Sequence, residues 1–204
     1  MDKLSVIIPA YIDTEAVEEK CVKLLEDLGK QRQKYPQTEI IVIDDDSPET
    51  SYRYLAGTRL ICFNRHEPGV SGARNTGLEV ATGNLIAFCD ADDGVEPDYL
   101  RAIYETFREH PNARAAVFGS SVLHNQNLAH QLPNLAVWSY AFRRDAIGNE
   151  RFDENKQAGE DYDWLGRIWK GDGLLAVPKR IYRYDWDVNP NSLSKRYNRG
   201  GFQK

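Results

Sequence analysis

Residues 83–94 read Gly-Asn-Leu-Ile-Ala-Phe-Cys-Asp-Ala-Asp-Asp-Gly. Leu85 to Cys89 is a short apolar run that reads as a strand buried on both faces. Three carboxylates follow at once: Asp90, Asp92 and Asp93. Side chains alternate along a strand, so Asp90 and Asp92 are expected on one side and Asp93 on the other. Three anions this close repel each other unless a cation or a donor-rich ligand sits among them. Oxygen-only ligands suit a hard divalent ion such as Mg²⁺ or Mn²⁺, which in turn typically holds substrate phosphates. The competing expectation is a solvated acidic turn leading into the next helix, with Pro97 at its first position.

Working outward, the chain has 204 residues, 41% of them hydrophobic, enough for one well-cored domain with at most a small appendage. Charged residues make up 28% and the net charge is −5, which implies no general nucleic-acid-binding surface. Cys21, Cys62 and Cys89 fall in no metal-ligand or CxxC spacing and read as reduced core residues of a cytoplasmic protein. The N-terminus enters a strand directly, without a signal-peptide pattern. No apolar run approaches the ~20 residues of a membrane span.

Leu4 to Ile8 is the first expected strand, stopped by Pro9. A helix follows, with Val17, Cys21, Leu24 or Leu25, and Leu28 at helical spacing and Gly29 near its end. Glu39 to Ile43 is a second buried strand, running into Asp44-Asp45-Asp46-Ser47. A short polar helix and a third strand, Arg59 to Phe63, come next. Ser71 to Ala81 reads as a helix leading into the Leu85 strand. Leu100, Ile103, Tyr104 and Phe107 mark another helix, and Ala115 to Phe118 another strand. The alternation predicts an α/β protein with a mostly parallel sheet flanked by helices. Ligands bind such sheets at the C-terminal strand ends. Here those ends carry Pro9-Ala-Tyr11, Asp44-Asp-Asp46 and Asp90-Ala-Asp-Asp93. Neither a G-x-G-x-x-G fingerprint nor a P-loop is present. After residue 120 the pattern weakens: His124 to Leu135 reads as a loop, and Ala136 to Phe142 as a strand. A helix carries Trp164, Leu165, Ile168 and Trp169. Leu174 to Val177 and Ile181 to Tyr184 read as two short strands.

Five motifs, Ser-Val-Ile-Ile-Pro-Ala-Tyr (5–11), Ile-Ile-Val-Ile-Asp-Asp-Asp-Ser (40–47), Gly-Val-Ser-Gly-Ala-Arg-Asn-Thr-Gly-Leu (69–78), Asp90-Ala-Asp-Asp and Gly-Glu-Asp-Tyr-Asp-Trp (159–164), occur in order. Together they resemble the inverting GT-A glycosyltransferases of family two, over residues 4 to about 184. The resemblance implies a GT-A fold, a nucleotide-diphosphate-sugar donor and a divalent metal, Mn²⁺ or Mg²⁺. It also implies a glycosyltransferase domain over 1–184, divided into a nucleotide-sugar-binding half (1–120) and an acceptor half (121–184). Residues 185–204 would form a basic tail or lid.

Carried onto this chain, the resemblance makes Asp44 an acceptor for the imide N–H of uracil, hence a UDP-sugar donor, with Pro9 and Tyr11 lining the base pocket. Arg74 would contact the nucleotide, or pair with an acidic cluster in the same pocket. Asp92 is the expected metal ligand, with Asp90 and Asp93 sharing ribose and metal roles. Asp161 corresponds to the catalytic base and Glu160 beside it is the second candidate. The helix dipole would keep Asp161 ionised, and the same position makes it a candidate N-cap. Trp138 is the expected stacking residue. Many relatives supply a late histidine, whereas His66, His110, His124 and His130 all lie earlier. Asp185, Asp187 or Asn189 would then substitute. Two alternatives stand beside this reading: a non-catalytic sugar-nucleotide or glycan-binding module, and a two-metal nucleotidyltransferase. The acceptor is left open among a glycan, a lipid-linked sugar, a protein and a modified nucleobase. The small size suggests a partner or a second copy, a homo-oligomer, completing its site.

Overall fold

Leu4–Ala10 forms β1, buried throughout because apolar side chains leave it in both directions. Leu4, Val6, Ile8 and Ala10 join one core and Ile7 the other. The computed structural model describes residues 2–48, 60–124, 127–131, 136–156, 158–169 and 171–189. β1 pairs in parallel with β2 (Glu39–Asp44) on one side and β4 (Leu85–Phe88) on the other. β3 (Leu60–Phe63) continues the parallel array beyond β2. The short polar helix expected before β3 falls outside the described residues.

Helices cover both faces. α1 (Glu15–Arg32) starts at Thr14, whose hydroxyl accepts the Val17 N–H at 3.3 Å. Its Cys21, Leu24, Leu25 and Leu28 pack with Tyr99, Leu100, Ile103 and Phe107 of α3 (Tyr99–Glu109) against one face. α2 (Val70–Val80) covers the other face through Ala73 and Leu78. α5 (Glu160–Ile168) does so through Trp164, Leu165 and Ile168, with the short α4 (Arg144–Ile147) nearby. Trp164 is fully buried, stacked on Phe152 at 4.4 Å and edge-on to Phe88 and Phe142. Burying large side chains is the main source of stability for both layers.

The remaining strands are β5 (Gly94–Val95), β6 (Ala115–His124), β7 (Asn127–Gln131), β8 (Tyr140–Arg143) and β9 (Leu174–Asp185). They extend the same sheet in the order β3-β2-β1-β4-β8-β6-β9-β5, with β7 on β6. β8 runs antiparallel to both β4 and β6. Thus the first half of the sheet is wholly parallel, whereas the second is mixed, with β9 parallel to β6 and the other pairs antiparallel. Both halves of the chain share it.

Three local expectations change. The polar 124–135 segment contains β7, a strand held by antiparallel pairing to β6 rather than by its own apolar pattern. The two late strands are one, β9. Its parallel register to β6 slips between Phe118 and Ser120, so Pro178, which has no N–H to give the ladder, needs no partner. Val137–Ser139 is a 3₁₀ turn ahead of β8 instead of strand. Cys21 and Cys89 are buried free thiols. No helix among the described residues is long and apolar enough to cross a membrane.

Gly77 lets α2 sit directly on β1: a Cβ there would lie 2.3 Å from Ile7 Cγ2. Overpacking costs about 1–3 kcal/mol, against ~1 kcal/mol gained from the better helix propensity of alanine. Gly77→Ala is therefore expected to destabilise by up to about 2 kcal/mol, lowering the melting temperature by about 2–4 °C per kcal/mol. An unchanged melting temperature would show that the α2–β1 seat has slack.

Candidate active site

The C-terminal ends of the parallel strands lie side by side, with Ala10 opposite Asp44 and Asp44 opposite Phe63. Pro9 is buried within β1, whereas Tyr11 just past its end is half exposed. Phe63, opposite Asp44 at the end of β3, is also exposed. Asp44 is buried, and its Oδ1 accepts from the Ser47 hydroxyl at 2.5 Å, which fixes the carboxylate's orientation. The chain turns there through Asp46, at φ 60. Asp45 does different work. Its two oxygens accept the Gly69 N–H at 3.0 and 2.9 Å, and Oδ1 also takes Asn64 Nδ2 at 2.7 Å. This pins the start of α2 to the end of β2.

α2 is buried from Ser71 to Leu78, an uncommon placement for a helix carrying arginine and asparagine. Its polar side chains explain it. Arg74, its side chain 3% exposed, gives Nη2 to Asp90 Oδ1 at 3.2 Å. Its Nη1 goes to Glu160 Oε1 at 3.2 Å and to Asp161 Oδ1 at 2.5 Å. The guanidinium also lies 5.4 Å over the Phe152 ring. The Asp161, Asp90 and Glu160 charges together push the Arg74 pKa further up, against burial. Asn75 forms a two-point clamp on Phe152, donating to its carbonyl at 3.0 Å and accepting its N–H at 2.8 Å. Asn75 also donates to Glu154 at 2.7 Å. His66 bridges Glu79 and Glu154, 2.9 Å from each. These contacts hold Phe152 and Glu154 against α2 and the segment before it.

Asp161 lies in the first turn of α5, and the cap position belongs to Gly159 in the left-handed region, φ 73. Its Oδ2 accepts the Val137 N–H of the 3₁₀ turn at 2.9 Å. Burial pushes the Asp161 carboxyl up to about 6. Arg74 opposes that shift, while Glu160 adds to it. At about 6 the carboxyl is still mostly ionised at neutral pH.

The acidic turn divides its three carboxylates by environment. Asp93 is buried, with Oδ2 accepting from the Tyr182 hydroxyl at 2.7 Å and Oδ1 from the Asp185 N–H at 2.9 Å. Burial pushes its carboxyl well up, and Asp92 and Asp90 add to the shift. Asp90 and Asp92 are half-buried. Asn189 Nδ2 donates to Asp92 Oδ2 at 2.9 Å, so the late segment does reach this turn. Burial, together with Asp90, raises the Asp92 pKa. Asp185 is engaged by Lys20 at 2.5 Å. No three His, Cys, Asp or Glu side chains among the described residues form a ready metal cage. A Mg²⁺ or Mn²⁺ ion that takes one or two carboxylates and completes its shell from phosphates and water fits Asp92 and Asp90. Asp93, with both oxygens engaged by protein donors, fits a supporting part better than a ligand's.

Trp138 is not a platform for sugar. It is 8% exposed, stacked on Tyr182 at 4.5 Å and on Tyr184 at 5.6 Å. Residues 190–204, including the expected lid around Ser192, Ser194, Lys195 and Arg196, lie outside the described residues. Tyr182, Asp45 and the Val137 N–H are the contributors that sequence reasoning missed. Only the alternation of Tyr182, Tyr184 and Trp186 along one strand face signals an aromatic row in advance.

With this geometry in place, the relatives can be compared. The minor teichoic acid biosynthesis protein GgaB of Bacillus subtilis is 27% identical over 226 residues, covering 97% of this chain and 25% of that protein. A Campylobacter jejuni GalNAc(5)-diNAcBac-PP-undecaprenol beta-1,3-glucosyltransferase is 25% identical over 210 residues, covering 90% and 65%. Staphylococcus aureus TarS 1-349 in complex with UDP-GlcNAc superposes with a TM-score of 0.78 at 19% identity, over 94% of this chain and 60% of that one. A mannosyltransferase from Pyrobaculum calidifontis, in complex with GDP-Man and Mn²⁺, gives 0.68 at 18% identity, over 97% and 61%. The chain therefore spans less than two thirds of each of these proteins, and its fold is the GT-A fold. The sequence model of Glycosyl transferase family 2 matches residues 5–162, and the chain belongs to that family.

Proposed function

We propose that this chain carries the donor site and catalytic base of a metal-dependent inverting glycosyltransferase that moves a sugar from a UDP-sugar to an acceptor hydroxyl. The observation that carries this reading is the reach of Arg74. One buried guanidinium touches Asp90 of the acidic turn and Glu160 and Asp161 of α5. The candidate metal side and the candidate base thus lie within one side chain's span, at the end of the sheet where such folds bind ligands. The TarS complexes with UDP-GlcNAc and UDP, and the mannosyltransferase complex with GDP-Man and Mn²⁺, support a nucleotide-sugar donor and a divalent ion.

In this mechanism Asp44, oriented by Ser47, accepts the uracil imide N–H, and Pro9 and Tyr11 border the base. Asp92 and Asp90 hold the metal, which when bound neutralises the diphosphate as a Lewis acid. Arg74 holds the acidic turn and the base together and offers charge to the donor's phosphate oxygens. Asp161 takes the proton of the acceptor hydroxyl as that oxygen bonds to the anomeric carbon. The bond from that carbon to the diphosphate oxygen breaks with its electron pair leaving on UDP, which inverts the anomeric centre. Residues 121–184 supply the acceptor side. Buried free thiols at Cys21 and Cys89 fit a cytoplasmic setting.

The direct test is thermal stabilisation by nucleoside diphosphates with and without Mn²⁺. UDP at about 100 times its dissociation constant should contribute ~2.7 kcal/mol, a rise of about 2–4 °C per kcal/mol. The rise should fall sharply with EDTA or in Asp92→Asn, to what UDP contributes without metal. No response to any diphosphate with any metal would overturn the proposal.

Asp161→Asn should keep UDP binding and lose about 10²–10⁴-fold in turnover, measured as UDP release. A raised pKa means that the base holds its proton to higher pH. Activity should therefore be present above about pH 6 and be lost as the pH falls through that value. Because the Glu160 charge raises Asp161, Glu160→Gln should move this acid limb of kcat/KM to lower pH. A limb that stays put would mean that Asp161 is not the titrating base.

A further inference from the structure

Tyr182 sits on β9, outside every motif that carries the family resemblance, yet three parts of the site meet at its side chain. It is fully buried. Its hydroxyl accepts the Asp90 N–H at 3.0 Å and donates to Asp93 Oδ2 at 2.7 Å. Its ring stacks on Trp138 with centroids 4.5 Å apart and planes 12° from parallel. Trp138 follows Val137, whose N–H holds Asp161. The backbone of Tyr182 is fixed on both sides, in register with Val95 of β5 and Ser120 of β6. Besides Tyr182, an Asp93 N–H to Asp90 carbonyl bond at 3.2 Å closes the turn, and the Asp185 N–H takes the other Asp93 oxygen. Arg74 and Asn189 reach the Asp90 and Asp92 carboxylates from outside.

We infer that Tyr182 is the positioning residue that sets the directions of Asp90 and Asp92 and keeps the acidic turn in register with the catalytic base. This rests on the donor-site reading above. The chemistry is simple. The carboxylates of Asp90 and Asp92 leave a short turn whose backbone has no strand partner of its own. A hydroxyl that accepts from the first N–H of that turn and donates to its last carboxylate fixes both ends at once. The phenol suits this because it is donor and acceptor together, and rigid except at the hydroxyl hydrogen. Stacking on Trp138 then ties the same peg to the turn that orients Asp161. Outer-shell groups of this kind typically change metal affinity or activity by about 10–100-fold when removed.

Tyr182→Phe keeps the ring and its stacking and deletes only the hydroxyl. The readouts are Mn²⁺ affinity in the presence of UDP, followed by the loss of free-ion Mn²⁺ paramagnetic resonance, and UDP binding without metal. The expected result is a folded variant by circular dichroism, with Mn²⁺ affinity about 10–100-fold weaker and metal-free UDP binding unchanged. A purely structural role would lower the melting temperature and leave the Mn²⁺ affinity of the folded protein alone, and that result would overturn the inference. Should Tyr182→Phe fail to fold, Trp138→Phe leaves every hydrogen bond of Tyr182 in place and trims the stacking. It should weaken Mn²⁺ in the same direction by less, and an unchanged affinity would likewise overturn the inference. If the wild-type protein shows no metal-dependent UDP binding, the donor-site reading itself falls and this inference with it.

Discussion

The buried guanidinium of Arg74 is the interaction on which the site depends. Removing an ion from water costs several kcal/mol even after relaxation, so a 3%-exposed arginine side chain persists only with well-placed partners. Its three partners come from the end of β4 and the start of α5, segments some 70 residues apart in sequence. Such a cluster adds little net stability compared with a well-packed apolar one, but it specifies geometry. In the observed placement of α2, the acidic turn and α5, all three acids reach the two terminal nitrogens of Arg74, while its buried Nε has no hydrogen-bond partner.

Arg74 is held in turn by the residues around it. Asp45 fixes the amide of Gly69, the cap residue of α2, and Gly77 lets the helix approach β1. Asn75, one residue along from Arg74, clamps the Phe152 backbone, whose ring packs on Trp164 and under the guanidinium. The Gly69–Leu78 motif is therefore a structural unit as much as a chemical one. Gly72 and Gly77 allow close approach, Asn75 grips the Phe152 backbone, and Arg74 gathers the acids.

The parallel half of the fold was legible in the sequence because each strand there is a run of apolar residues ending in polar ones. In the second half the start of β6, β8, α5 and both parts of β9 were legible as well. β7 was not, since it is polar and owes its conformation to β6, and Pro178 hid the continuity of β9. Among the site residues, the grouping of Arg74 with Asp90, Glu160 and Asp161 followed from motifs at strand and helix ends. Asp93 was read as a neighbour of Asp92 with similar prospects, and its divergence depends on Tyr182 and Asp185, far along the chain. Trp138 was the expected stacking residue because it lies in the less regular half, whereas Tyr182 and Tyr184 take up its ring and bury it. Local pattern reports on strand ends; partners from distant segments decide what each acid becomes.

That divergence gives the site its chemical asymmetry. Asp93 is drawn inward and its carboxyl pushed well up by burial, so it acts as a hydrogen-bonded strut. Asp90 and Asp92 stay half-buried at the mouth, where phosphates and a divalent ion would meet them. Across Arg74, Asp161 feels opposing pulls: burial and Glu160 raise its pKa and the guanidinium lowers it. A carboxylate left near its ordinary value would be a feeble base toward an alcohol, and one pushed far above neutrality would be protonated and idle. The balance near 6 lies where a general base is both free of its proton at neutral pH and able to accept one in the transition state. On this reading Arg74 does more than organise the pocket. By pairing with Asp161 while burial acts against ionisation, it sets how basic the proposed catalytic group is.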